Sequence, residues 1–449
     1  MSAPQPLWRT YLKFLAPMML ANILQALSGT INNIYLGQMI GVRALAAASV
    51  SFPLIFFFIA FIIGLGAGSS VLIGQAHGAR QPEKVKAIAG TALTVALAAG
   101  LLIALFGGVF THPLLRLLGT PADIMADATS YTRIMLVAMP GLFVFLLMTS
   151  MMRGVGDTVT PLYALCLSTT IGLVVTPSLI RGWFGLPQMG VASGACAAVL
   201  SFVLALVWLA WHMRRRHHAL APDAVLLRHL WIDWAILTKV LKIGVPTGVQ
   251  MVIVSLSEVA VLSFVNHYGS DATAAYGAVN QILSYVQFPV MSIAISASIL
   301  GAQAIGAGRA DRLGAIARTG LQMNLVLTGG LILLAYLFSR TIIGFFITSA
   351  PVVELAQTLL HITLWSSIVM GFSSVLSGVM RASGTVLVPT AISIFAIAFV
   401  EVPAAYLLSG WIGINGIWTA YPVAFLTMLA MQGAYYRLVW RKKPVQRLL

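Results

Sequence analysis

The chain has 449 residues, of which 59% are hydrophobic and 8% charged, with a formal net charge of +15. No soluble domain needs that much apolar surface to fill a core, so a soluble enzyme or binding module is excluded. The basic residues are dispersed among short loops instead of lining one aromatic-bearing face, which excludes nucleic acid as the partner.

Apolar stretches recur from the start of the chain to its end, each near the roughly 20 residues a helix needs to cross about 30 Å of hydrocarbon. They predict twelve transmembrane helices, at 12–35, 44–75, 87–110, 128–152, 160–180, 189–212, 240–266, 271–304, 314–337, 353–380, 387–409 and 413–436. The stretches lack the alternation of barrel strands, and a helix satisfies its backbone within its own segment. Met1 to Thr10 shows no short apolar region followed by a small-residue cleavage site, so no removable signal peptide is expected.

The longest charged interruption, residues 213–239, runs from Met213 through Arg214, His217, His218, Pro222 and Asp223 to Lys239, and reads as a linker with an amphipathic portion around Trp231 and Trp234. Residues 1–212 and 240–449 are then two six-helix lobes. With both ends in the cytoplasm, the inner loops hold most of the Lys and Arg and the outer side keeps only Arg43, Arg116, Arg133, Arg181 and Arg340. That bias places the chain across an inner membrane as a multi-pass protein with an even number of crossings. Cys166 and Cys196 fall inside helices, where a thiol behaves as a small hydrophobe.

The halves repeat at a spacing of about 228 residues. Gln75-Ala76-His77-Gly78-Ala79 returns as Gln303-Ala304-Ile305-Gly306-Ala307; Met152-Arg153 with Gly156 and Pro161 returns as Met380-Arg381 with Gly384 and Pro389; Trp183 and Gly185 return as Trp411 and Gly413; Pro17 answers to Pro246. Six crossings return a chain to its starting side, so the lobes share one orientation and are expected to be related by a pseudo-twofold axis along the membrane normal. The fold class is all-α, integral to the membrane. Two lobes that rock about a central cleft favour carriage over catalysis.

Gly29 to Gly37 with Ala44 to Ser49, the Gln75 to Ala79 loop, Gly244-Val245-Pro246 with Gln250, Ala274-Ala275-Tyr276, the Gln303 to Gly308 loop and Gly413 to Trp418 together resemble the multidrug and toxic compound extrusion (MATE) transporters over nearly the whole chain. The resemblance implies a cation-coupled antiporter that expels drug-like, often cationic or amphipathic compounds using a proton or sodium gradient. The departures matter as much. Where bacterial relatives carry an aspartate fifteen residues after the helix 1 proline, this chain has Asn32; the helix 5 asparagine and aspartate are Gly172 and Thr176, before Pro177; a helix 10 carboxylate is replaced by Met370. The first-lobe coupling network therefore does not carry over.

Two carboxylates fall well inside the predicted helices, Glu258 and Glu401, both in the second lobe. A charged side chain at mid-membrane costs about 2.5–3.5 kcal/mol on insertion scales, so such residues face a cavity and serve transport. A carboxyl withdrawn from water can hold a proton and release it when its surroundings change. Glu258 and Glu401 are accordingly the candidate cation-coupling residues, relocated from the first lobe. The bland reading of each is a protonated carboxyl that joins helices. Asn32, Gln250, Asn280, Gln287 and His361 are the candidate substrate contacts, although an intramembrane amide also serves as interhelical glue.

Gly64, Gly66 and Gly68 imitate a phosphate-cradling loop but lie in an apolar helix, where small residues serve close packing. No Walker-type lysine, metal-ligand cluster or nucleophile elbow is present, so no cofactor, metal or enzymatic activity is expected. The partners expected are small organic substrates, protons or sodium, and the bilayer around a monomer. Proton-coupled export leads; a sodium-coupled exporter and a flippase of lipid-linked or amphipathic metabolites are the alternatives. An intramembrane enzyme would have only Glu258 with His361 to build on.

Overall fold

The computed structural model describes residues 6–448, which fold into helices with no strand among them. Residues 1–5 and 449, and with them part of the stretch read for a signal peptide and both extreme termini, lie outside that range. The first helices are α1 (Leu7–Tyr35), α2 (Val42–Gly78), α3 (Pro82–Leu117), α4 (Met125–Val137), α5 (Met139–Val155), α6 (Val159–Arg181), α7 (Ala192–Arg215), α8 (Ala224–Arg228) and α9 (Trp234–Asn266). Then come α10 (Ser270–Gly306), α11 (Leu313–Leu337), α12 (Ser339–Gly344), α13 (Ala350–Thr363), α14 (Ser366–Ala382), α15 (Leu387–Ile394), α16 (Val402–Ile412) and α17 (Ile414–Leu438).

Among the described residues eleven helical stretches are long and apolar enough to cross a membrane, and the pair α4 and α5, bent by 54°, makes a twelfth when taken as one span. The unbroken helix expected over 128–152 is thus two pieces. Pro140, in the first turn of α5, lacks the amide proton a continuous helix would use. Gly100 of α3 admits the bend, because a Cβ there would lie 2.6 Å from the Pro140 Cα.

The chain divides into two compact units, residues 20–248 and residues 1–19 with 249–449, so the boundaries run through α1 and α9. In the second unit Tyr11, fully buried, donates its hydroxyl to the Ile316 carbonyl at 2.9 Å, which fixes the first turns of α1 against α11.

Within residues 20–248, α3 shows how a helix suits lipid. One face carries Ile88, Ala89, Ala92 and Ala96, all buried, together with Gly100 and Gly107; the other exposes Leu101, Leu102, Leu105, Phe106 and Val109. Small residues let backbones approach where no water drives association, and large apolar side chains are left to face the hydrocarbon. Gly64 and Gly68 act in the same way. A Cβ on either would stand 2.3 Å from the carbonyl oxygen of Gly244 or Val240 on α9, so their role is helix packing.

The second unit repeats local detail. Gly378 of α14 lies against α10, with a would-be Cβ 2.4 Å from the Ala294 carbonyl oxygen. Phe110 breaks helical geometry within α3 at φ −97°, ψ 16°, and Phe338 does so between α11 and α12 at φ −109°, ψ 18°. Pro113 accounts for the first; the second has no proline in the following turn. The two cysteines lie within α6 and α7, Cys166 exposed and Cys196 half-buried.

Candidate functional site

The site builds from a local irregularity. Phe395–Glu401 forms a widened π turn between α15 and α16. Pro403 follows two residues later; its ring would clash with the carbonyl four residues back and it donates no amide proton, so the helix opens ahead of it. Glu401 ends that turn with only 3% of its surface exposed.

Glu401 lies within electrostatic reach of Glu258 on α9 and of Tyr421 on α17 and Tyr276 on α10. The Tyr276 and Tyr421 hydroxyls hydrogen-bond to one another. Trp418, one turn before Tyr421, packs on both rings, with centroids 5.2 Å from Tyr276 and 6.5 Å from Tyr421. Among the described residues its buried indole Nε1 has no hydrogen-bond partner. Glu258, by contrast, is exposed on the surface of α9. Among the described residues, neither carboxylate has a Lys, Arg or His partner.

Chemically this is a pair of carboxyls, Glu401 buried and Glu258 exposed, near two phenols of the same unit and, among the described residues, without a basic partner. A carboxyl pair of this kind can take up a proton or a small cation without first displacing a resident positive charge. Among the described residues, no group of three or more His, Cys, Asp or Glu is placed to hold a metal ion.

The candidate substrate contacts are scattered. Asn32 is half-buried on α1, against Gly194 of α7 and hydrogen-bonded to Tyr131 of α4. Gln250, Asn280 and Gln287 are half-buried, and among the described residues their side chains make no hydrogen bond. His361 is exposed near the end of α13, its ring 5.2 Å from that of Tyr336, whose hydroxyl donates to the His361 carbonyl at 3.1 Å.

Tyr276, Trp418 and Tyr421 were not among the candidates, because an aromatic in an apolar run reads as packing. One signal was available. At the repeat spacing the first half carries Ala48, Gly190 and Ser193 in their places, and Leu173 in place of Glu401, so the large and polar groups are confined to one copy.

The MatE family profile matches this chain twice, over residues 17–178 and 246–407. The chain belongs to the MATE family. The two matched segments coincide with the internal repeat, and together they take in Glu258 and Glu401. Probable multidrug resistance protein YoeA of Bacillus subtilis is 46% identical over 444 residues, covering 98% of this chain and 96% of that one. Multidrug export protein MepA of Staphylococcus aureus is 22% identical over 438 residues, covering 96% and 94%. Among solved structures, a mutant of the Vibrio cholerae MATE transporter VcmN superposes with a TM-score of 0.90 at 21% identity, covering 98% of both chains. A MOP superfamily transporter from Pyrococcus furiosus superposes at 0.87 with 20% identity, covering 96% and 95%. As a MATE transporter this chain is an all-α protein of twelve transmembrane helices.

Proposed function

We propose that this MATE-family chain is a secondary active antiporter that exports drug-like, cationic or amphipathic compounds in exchange for protons. It works by alternating access of the two lobes, 1–212 and 240–449, as a monomer in the inner membrane with both termini cytoplasmic. The observation that carries the reading is the pairing of Glu401, buried at a π turn inside a spanning helix, with Glu258, without a basic partner for either. Two neighbouring carboxyls repel when both are charged, so the pair favours keeping a proton or cation between them. Arrival of a cationic substrate in the same space stabilises the charged carboxylates and so expels the bound proton, which couples the two fluxes without covalent chemistry.

The likeness to proteins named for multidrug resistance and export supports the substrate class. Asn32, Gln250, Asn280, Gln287 and His361 are proposed as the polar contacts of the substrate path. Sodium coupling is the second reading, and one observation favours it: Tyr276 and Tyr421 add two oxygens to those of the glutamates, and sodium needs several oxygen ligands. The flippase reading is weaker, since Arg153 and Arg381 sit in the last turns of α5 and α14 and not at mid-span.

Efflux of ethidium or norfloxacin from proteoliposomes tests both cations. Transport driven by an imposed proton gradient alone supports the proposal; transport that answers only to a sodium gradient replaces it with the second reading.

A further inference from the structure

The segment joining α7 to α9 is not a free tether. Asp223 pairs with Lys86 of α3 and caps α8 by accepting from the Leu226 amide at 2.9 Å. His218 Nε2 lies 3.4 Å from Asp157, between α5 and α6. Thr91 of α3 donates to the Trp231 carbonyl at 3.2 Å, and Gly90 is the residue that allows this, since a Cβ would meet the His229 carbonyl oxygen at 2.2 Å. Arg214 Nε donates to the Pro222 carbonyl at 2.7 Å. The segment is thereby laid along the first turns of a spanning helix.

What it turns outward is large and apolar. Trp231 is 79% and Trp234 72% exposed, and Leu227 and Leu230 are exposed beside them. Charge lies in the same place: between 214 and 242 stand six Lys or Arg and two Asp. Both aspartates are engaged, Asp223 with Lys86 and Asp233 with the amides of Ala235 and Ile236. Among the described residues, no carboxylate pairs with Arg216, Arg228 or Lys239.

The flanking helices say what covers this face. On α7 the exposed apolar line of Leu200, Leu204, Val207 and Trp211 runs into Arg215, whose guanidinium lies 5.3 Å from the Trp211 ring centre. On α9 exposed Trp234 and Lys242 lead into the exposed Val245 and Val249. Both are outer faces of spanning helices, and both enter the segment at its ends. The surface that continues a lipid-facing line, with tryptophans at the boundary and unpaired Lys and Arg, is the headgroup layer.

We propose that residues 214–242 form a docking surface for anionic phospholipid headgroups, with Trp231 and Trp234 inserted at the interface and Arg216, Arg228 and Lys239 facing the lipid phosphates. The proposal rests on the chain spanning a membrane and not on the transport reading. Because the segment is pinned to α3 and to the loop before α6, lipid charge acts directly on the helices of residues 20–248.

Hydrogen–deuterium exchange on the full-length protein in nanodiscs of phosphatidylcholine, with and without phosphatidylglycerol, is the test. Amides of 224–233 are expected to gain protection when phosphatidylglycerol is present and to lose the gain at high ionic strength. Each Lys or Arg near an anionic surface changes affinity about fivefold, so Arg216→Gln with Arg228→Gln and Lys239→Gln reduces the lipid-dependent gain about a hundredfold. The comparison of lipids uses the unmodified chain and does not depend on a variant folding. Trp231→Phe with Trp234→Phe is expected to remove the part of the fluorescence that brominated phosphatidylglycerol quenches. Equal protection in both membranes, a gain undiminished by the three glutamines, or no quenching attributable to the two tryptophans overturns the proposal.

Discussion

Asp157 and His218 join two stretches far apart in the chain: the Asp157 carboxylate, just before α6, stands 3.4 Å from the His218 ring nitrogen beyond α7. Burial alone would push this carboxyl upward, but hydrogen bonds from His218 and from the Thr160 hydroxyl and amide outweigh it, and Asp157 titrates near 2 against an ordinary 3.8. A carboxyl lowered by folding stabilises the native state above its unfolded pKa, and that contribution is lost as pH falls through the folded value. Asp157→Asn is therefore expected to cost about 1–2 kcal/mol at neutral pH. The difference in thermal unfolding between variant and parent should narrow only below pH 3.8, vanishing toward pH 2.

Two glycines with opposite surroundings give a paired prediction. Gly378→Ala places a Cβ 2.4 Å from the Ala294 carbonyl oxygen, and backbone cannot yield as a side chain does. Prising α14 from α10 should cost about 1–3 kcal/mol. Gly330→Ala on α11 meets nothing within 4 Å and should be neutral or stabilising by about 0.5–1 kcal/mol. Chemical or thermal unfolding in one detergent ranks the two directly.

The phenol pair offers a milder perturbation. Tyr421→Phe keeps the ring that packs on Trp418 and removes the hydroxyl that bonds Tyr276. It should cost about 1 kcal/mol of stability. If the phenols supply cation ligands, it will also weaken sodium-driven efflux more than proton-driven efflux, which parallel assays in the same vesicles would show.

The number of crossings, the repeat and the membrane itself were legible because they depend on summed hydropathy over about 20 residues, which a single irregularity does not disturb. The break between α4 and α5 was hidden for that reason: Pro140 sits in a run as apolar as its neighbours. The π turn ending at Glu401 was equally silent, since one extra residue per turn leaves composition unchanged. Glu258 and Glu401 stood out in the sequence as intramembrane acids. Their association with Tyr276 and Tyr421 depends on how α9, α10 and α17 pack, which no local pattern encodes. The segment 213–239 read as a linker by its charge, yet the residues that pin it, Lys86, Gly90, Thr91 and Asp157, belong to distant helix ends.

If Glu258 and Glu401 carry the exchange, substrate binding must expel a proton from them even without a gradient. A pH-indicator dye in weakly buffered detergent solution reports this on adding ethidium to purified protein. The parent chain should release protons on saturation, and Glu258→Gln and Glu401→Gln should bind ethidium with little or no release. Unchanged proton release in both variants would contradict the account.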